Sequence, residues 1–222
     1  MCFVIFMFSG LIKHIGVISK PLSGPYEGEI VIENNKLPEI VEIGGSVAVN
    51  GACLTLTKKS NNLLTFFVSE ETIEKSTLSR LHQGKVVNLE IPITPTSLLD
   101  GHIVLGHVDT TGKLIKKNII KGKDESTRMT IQIKKEFMKF VVTKGSIAVD
   151  GISLTIADYS DSDHNFSVHI IPHTFDNTNL KYLNLYEEVN IEFDIIGKYI
   201  ERLLEMNKNN LTMDKLRDFL GT

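Results

Sequence analysis

Residues 45–57 read GSVAVNGACLTLT, and 100 positions later residues 145–157 read GSIAVDGISLTIA. Seven of the thirteen positions are identical, and most of the rest are swaps such as Val47 for Ile147, Asn50 for Asp150 and Leu56 for Ile156. The period is far longer than the roughly 20–50 residues of a solenoid repeat, so it marks a duplicated domain. The echo extends in both directions. FFVSEETIEKSTL at 66–78 aligns with VHIIPHTFDNTNL at 168–180, and VVNLE at 86–90 with EVNIE at 188–192. Near the two starts, Gly10 and Gly16 fall in the places of Gly106 and Gly112. Two similar halves imply two similar pockets.

Within the first half, runs rich in Val, Ile, Thr and Phe recur at 16–19, 28–32, 46–50, 54–58, 64–69 and 86–91, separated by turn formers such as Gly44-Gly45, Asn50-Gly51 and Asn61-Asn62. Short strands at this spacing indicate an all-β chain. Six strands with one face to bury and edges to protect close most economically into a barrel. The expected fold is therefore two tandem homologous six-stranded Greek-key β-barrels plus a C-terminal α-helix. Barrel 1 is expected over 7–102 and barrel 2 over 103–195, with short helical segments at 76–81 and 179–183. Residues 1–6 are an N-terminal extension, Met7 being as good a start as Met1. Residues 196–222 form a helical tail: Ile196, Tyr199, Ile200, Leu203 and Leu204 make one apolar stripe, and Met213, Leu216 and Leu220 another, interrupted at 207–210. Such a tail packs against other chains or folds back on its own barrel.

Composition narrows the function. A net charge of −3 gives no footprint for nucleic acid or an anionic membrane. The lysine-rich stretch at 113–123 reads as a solvated hairpin. The apolar opening MCFVIFMF lacks a basic flank and is too short for a signal peptide or a membrane span. Two cysteines, Cys2 and Cys53, make neither a disulfide framework nor a metal cluster, which favours a reducing compartment, the cytoplasm. His102 and His107, five residues apart with no carboxylate or thiol cluster, are a poor zinc pair.

Asn50-Gly51 and Asp150-Gly151 have the chemistry of tight hairpin turns. Cys53-Leu54-Thr55 and Ser153-Leu154-Thr155 leave those turns at matched places, with residues 53 and 55 on one face and Leu54 on the other. Taken alone, Cys53 is a small buried apolar residue. GISLT lacks the glycine spacing of a nucleophile elbow. Thr55, Thr72, Thr155 and Thr174 offer hydroxyls suited to a flat, uncharged heterocycle.

With these motifs the chain resembles riboflavin synthase of the lumazine-binding-repeat type over about residues 7–205. MFSGLI, GSVAVNGACLTLT, GHIVLGHVDTTG, KGSIAVDGISLTI, IIPHTFDNTNL and VNIEFDIIGKYIERL occur in that family's order. The resemblance implies a cofactor-free dismutation, with no metal. Two molecules of 6,7-dimethyl-8-ribityllumazine exchange a four-carbon unit, giving riboflavin and 5-amino-6-(D-ribitylamino)uracil in the last step of riboflavin biosynthesis. It also implies a homotrimer whose reacting pair lies between barrel 1 of one chain and barrel 2 of its neighbour, with lumazine synthase as pathway neighbour.

Carried over position by position, the resemblance implies a first pocket of Gly10, Leu11, Ile12, Cys53, Leu54, Thr55, Phe67, Val68, Ser69, Glu70, Glu71 and Thr72. The second comprises Gly106, His107, Val108, Lys144, Ser153, Leu154, Thr155, Ile171, Pro172, His173, Thr174, Phe175 and Asp176. Cys53, His107, Ser153 and Asp194 are the implied nucleophile or proton-transfer groups, supported by Phe8, Ser46 and Asp150. Residues 1–6, upstream of the family's usual start, would lie near Phe8, and Asp100 stands where a glycine is common. The alternative is a non-catalytic paralogue similar to the lumazine and yellow fluorescent proteins, which hold a lumazine or flavin as chromophore.

Overall fold

In a computed structural model of the chain, residues 7–24, 26–94, 96–120 and 126–210 are described. The extension at 1–6, the centre of the lysine-rich hairpin at 121–125 and the stripe containing Met213 lie outside them.

Six strands form the first barrel: β1 (His14–Lys20), β2 (Gly28–Glu33), β3 (Ser46–Val49), β4 (Ala52–Ser60), β5 (Leu63–Val68) and β6 (Val86–Glu90). They pair in the order β1-β2-β5-β4-β3-β6, and β6 returns to β1 to close the ring. The second barrel repeats this with β7 (Thr110–Ile120), β8 (Ser126–Gln132), β9 (Ser146–Val149), β10 (Ile152–Ser160), β11 (Asn165–Ile170) and β12 (Glu188–Phe193). Every pairing is antiparallel. Bulges recur at matched places, between Leu56 and Lys58 on β4 and between Ile156 and Asp158 on β10. Closure gives each strand a partner on both sides, so neither barrel has an edge strand.

Alternation fills each barrel. Ile18, Ile30, Leu54, Leu56, Phe66 and Leu89 belong to one core, and Leu114, Ile131, Leu154, Ile156, Phe166 and Ile191 to the other. A third, smaller cluster of Phe8, Ala48, Val104 and Ala148 lies between them, with Cys53 packed against it.

Among the described residues four α-helices decorate the barrels: α1 (Leu37–Ile40), α2 (Glu70–Lys75), α3 (Pro172–Asp176) and α4 (Ile195–Asn210). The segments expected to be helical at 76–81 and 179–183 hold short 3₁₀ turns, Leu78–Arg80 and Asn179–Tyr182. The preceding α2 and α3 were not expected. Their signals are the Ser69 cap on Thr72 N–H and Pro172 at the start of α3. The expected interruption at 207–210 is instead the last turn of α4, since no proline or glycine stops the helix there. Among the described residues no helix is long and apolar enough to cross a membrane.

The barrels meet around a pseudo-twofold axis through the two hairpin turns. Asn50 and Asp150 both take φ of 45°, and Gly51 and Gly151 come next at 78° and 77°. Glycine is required twice over here: a Cβ on Gly51 would lie 2.7 Å from the Gly151 nitrogen, and the reverse holds equally. Around this contact Asn88 N–H donates to Asn50 Oδ1 at 2.8 Å and Asn190 N–H to Asp150 Oδ1 at 2.7 Å. Asn179 Nδ2 donates to Asp150 Oδ2 at 2.7 Å, and its Oδ1 accepts from Asn88 Nδ2 at 2.9 Å. No buried side-chain polar atom among the described residues lacks a partner.

Candidate active site

The two-residue turns fix the register of the strands that leave them. Val49 faces Ala52, so Cys53 pairs with Ala48 and Thr55 with Ser46; in the second copy Ser153 pairs with Ala148 and Thr155 with Ser146. Leu54 and Leu154 therefore point into the barrel cores, while Cys53 and Ser153 face outwards beside the junction. Each outward residue meets a segment that comes from the other repeat. Cys53 N–H donates to the Gly106 carbonyl at 2.9 Å, and Ser153 N–H to the Gly10 carbonyl at 2.8 Å. Antiparallel bonds between Phe8 and Val104, at 2.8 and 3.1 Å, tie the two crossing segments together.

Two matched cavities result. One, of about 410 Å³, is lined by Ala52, Cys53, Glu71, Thr72, Lys75, Gly106, His107, Val108 and Asp109. The other, of about 230 Å³, is lined by Gly10, Leu11, Ile12, Lys13, Ile152, Ser153, His173, Thr174, Asn177 and Thr178. The expected grouping is corrected first at the glycine segments, which are exchanged. Gly10, Leu11 and Ile12 stand with Ser153 and Thr174, and Gly106, His107 and Val108 with Cys53 and Thr72, because each segment crosses to the opposite barrel before entering its own. A groove of about 440 Å³ elsewhere on the junction is spanned by the ion pairs Arg80–Glu188 and Lys85–Glu187 and contains neither Cys53 nor Ser153.

The cavities differ in their reactive groups. Ser153 Oγ lies 2.7 Å from Nδ1 of His102, which is 9% exposed. Burial holds that imidazole below its usual range, opposed by the charge of Asp194, which favours the neutral ring; its Nδ1 accepts from the serine hydroxyl in one tautomer and donates to it in the other. His102 stood out in sequence only as a partner of His107; its contact with Ser153, 51 positions away, has no local signal. Among the described residues no histidine bonds the sulfur of Cys53. Burial pushes the thiol up and Glu192 adds to this, against a hydrogen bond from buried Ser46, so the S–H form prevails.

The other expected residues fall into clear places. Phe8 is fully buried under Gly106, whose Cβ would come within 3.0 Å of its ring. Val68, Leu54 and Leu154 put their side chains into barrel cores, away from either cavity, as strand alternation demands. Asp150 sits in the barrel junction and lines neither cavity, because its turn abuts its twin. Thr55, Phe67 and Thr155 are exposed on the outward faces of their strands. Ser69, Glu70 and Glu71 start α2, where Glu71 pairs with Lys75 at 2.7 Å. Ile171 precedes α3, which contains Pro172, His173, Thr174, Phe175 and Asp176, with Lys117 Nζ 5.0 Å from the centre of the Phe175 ring. Lys144 is an exposed turn residue with φ 68°, outside both linings. Asp194 accepts from Ile196 N–H at 3.0 Å at the start of α4.

Known proteins share this architecture. Residues 9–92 and 105–194 each match the family model described as "Lumazine binding domain". Riboflavin synthase of Actinobacillus pleuropneumoniae is 38% identical over 216 residues, covering 95% of this chain and 98% of that protein. The chain belongs to the riboflavin synthase family. Other members include riboflavin synthase of Bacillus subtilis, 35% identical over 95% of both chains, and that of Schizosaccharomyces pombe, 36% identical over 90% of this chain and 94% of that one. Among solved structures, LumP complexed with riboflavin is 26% identical with a TM-score of 0.75, covering 84% of this chain and 98% of that chain. LumP complexed with 6,7-dimethyl-8-(1'-D-ribityl)lumazine, 24% identical with a TM-score of 0.73 over the same shares, has the same fold.

Proposed function

We propose that the chain makes riboflavin by dismutating two molecules of 6,7-dimethyl-8-ribityllumazine, a four-carbon unit passing from one to the other and 5-amino-6-(D-ribitylamino)uracil leaving. The observation that carries this reading is the pair of matched cavities with unlike reactive groups, Ser153 with His102 in one and a neutral Cys53 thiol in the other. Two copies of one substrate with different roles call for such a pair. Unlike groups distinguish a reaction from simple chromophore binding, which needs only one good pocket.

In this reading Ser153 Oγ hands its proton to Nδ1 of neutral His102 and takes one from the acidic 7-methyl group of the bound lumazine. The thiol of Cys53 and the imidazole of His107 hold or return protons on the second molecule. Acid–base help of this kind is worth about 10²–10⁴ in rate. Orienting the two rings supplies much of the remainder. No cofactor is required, and the enzyme is a transferase.

The active pair forms between barrel 1 of one chain and barrel 2 of a neighbour in a homotrimer. Support comes from α4, whose Ile196, Tyr199, Ile200, Leu203 and Leu204 are all more than half exposed and make one apolar stripe. The setting is the cytoplasm, with lumazine synthase as pathway neighbour. Incubating purified protein with 6,7-dimethyl-8-ribityllumazine alone tests the function. Riboflavin absorbance should appear in half-molar yield; lumazine bound tightly and unchanged would make the chain a chromophore carrier.

A further inference from the structure

The repeated tripeptides Asn88-Leu89-Glu90 and Asn190-Ile191-Glu192 supply no group to that proton transfer. Leu89 and Ile191 point into the barrels, so the flanking residues leave by the opposite face. The asparagines tie the junction, and the glutamates reach past it. Glu90 Oε1 accepts from the N–H and hydroxyl of Ser9, both at 2.8 Å, and its Oε2 from Gly10 N–H at 3.1 Å. Glu192 Oε1 accepts from Leu105 N–H at 2.7 Å, and its Oε2 from Gly106 and His107 N–H at 3.0 and 3.1 Å. Both carboxylates are at least 95% buried and among the described residues neither forms a salt bridge, Lys198 being bonded instead to Asp109.

Desolvating a carboxylate without a counter-charge costs several kcal/mol. Burial accordingly pushes both groups up in pKa; the amide donors, joined at Glu192 by the charge of Lys198, only partly offset it, and Asp109 adds to the rise at Glu192. What two carboxylate oxygens uniquely do is grip consecutive backbone amides. The gripped segments hold Gly10 and Gly106 at φ 75° and 76°, so close that a Cβ on either would lie 2.6 Å from the Cβ of Ser153 or Cys53. The chain of contacts is short: Glu90 to Gly10 to Ser153, and Glu192 to Gly106 to Cys53.

We propose that Glu90 and Glu192 are positioning residues for the dismutation, each barrel supplying the carboxylate that holds a glycine segment against the reactive residue of the other barrel. The proposal rests on the two cavities being the lumazine pockets. Its consequence is a crossed dependence: Glu192, in barrel 2, governs the Cys53 pocket of barrel 1, and Glu90 governs the Ser153 pocket of barrel 2.

Glu192→Gln and Glu90→Gln in the full-length chain test this. Glutamine keeps the size, but it has one acceptor oxygen and turns an NH₂ towards a backbone N–H. Each variant should lose on the order of 10–100-fold in kcat, as sub-ångström misplacement of reacting groups does, with a much smaller change in KM. The discriminating readout is the pH dependence of Cys53 alkylation by iodoacetamide, monitored on its own peptide by mass spectrometry so that Cys2 does not interfere. The charged and titratable groups around Cys53 and Glu192 are Glu192 itself on β12, Glu71 and Lys75 on α2, His107 and Asp109 before β7, and Lys198 on α4, which is bonded to Asp109. Glu192→Gln should lower the alkylation midpoint by about 0.5–1 pH unit, and Glu90→Gln should leave it in place. Both variants losing only thermal stability, with kcat and the midpoint of wild type, would overturn the proposal. So would a midpoint moved equally by both. If Glu192→Gln does not fold, Glu192→Asp replaces it: with charge kept but reach shortened, it should lose kcat while retaining the wild-type midpoint, and full activity in that variant would equally refute the grip. Absence of riboflavin from the wild type would instead sink the functional reading, since alkylation needs no turnover.

Discussion

Asp150→Asn should remove a pH dependence of stability whose sign the junction fixes. Asp150 is 2% exposed, and among the described residues its carboxylate accepts from the backbone N–H of Asn190 and from Asn179 Nδ2, both at 2.7 Å. Burial raises its carboxyl from 3.8 to about 6, the two donors and the charge of Lys85 opposing this and Glu187 adding to it. Between those values the folded chain holds a proton that the unfolded chain has released. This contribution is therefore fully present below the unfolded value and is lost as pH rises to the folded one. Its size is about two pH units at about 1.4 kcal/mol each, so roughly 3 kcal/mol. Asparagine retains the acceptor for Asn190 but sets its NH₂ against that of Asn179, a penalty that does not change with pH. The unfolding free energy of wild type minus that of Asp150→Asn should thus fall by about 2.4 kcal/mol between about pH 4 and pH 7, most of that span. Urea unfolding of both proteins at equal concentration measures it, monitored by circular dichroism because the chain has no tryptophan. A flat difference, or one that rises with pH, would refute the reasoning by showing that the donors hold the buried carboxylate ionised throughout.

Ser153→Ala and His102→Ala should each lower kcat by about 10²–10⁴, and the double variant little further, because the two act as one unit; steady-state kinetics on the four proteins would expose additive losses. Gly106→Ala forces a Cβ to within 2.6 Å of Cys53 at a φ of 76°, so a melting temperature several degrees lower and weakened lumazine binding by fluorescence titration are expected, whereas a variant as stable as wild type would contradict the close approach. Leu203→Glu on the exposed stripe of α4 should reduce the light-scattering mass towards a monomer and reduce activity with it, the barrels remaining folded by circular dichroism.

Much of the fold was legible because barrel-forming information is local and was written twice. Alternation marked the strands, and Asn50-Gly51 and Asp150-Gly151 marked hairpins whose positive φ values arise from residue chemistry alone. Glu90 and Glu192 were visible as part of an echoed pentapeptide, yet a glutamate two positions from an asparagine on a strand says only that both face outwards. The helices at 70–75 and 172–176 leave no periodic signal in the sequence, because each is shorter than two turns and carries no apolar period.

The sequence by itself determined the duplication, the strands, the two tight turns and the matched frame that sets Cys53 against Ser153. Only the tertiary structure decided which segment each of them faces. Alignment pairs Gly10 with Gly106 but is blind to the crossing of the chain at the pseudo-twofold axis, which sends Gly10 to Ser153 and Gly106 to Cys53. The deciding contacts, Glu90 on Ser9, Glu192 on Gly106 and His102 on Ser153, join residues 81, 86 and 51 positions apart. Such bonds join residues that only the closed fold brings together, so no local pattern of residues encodes them.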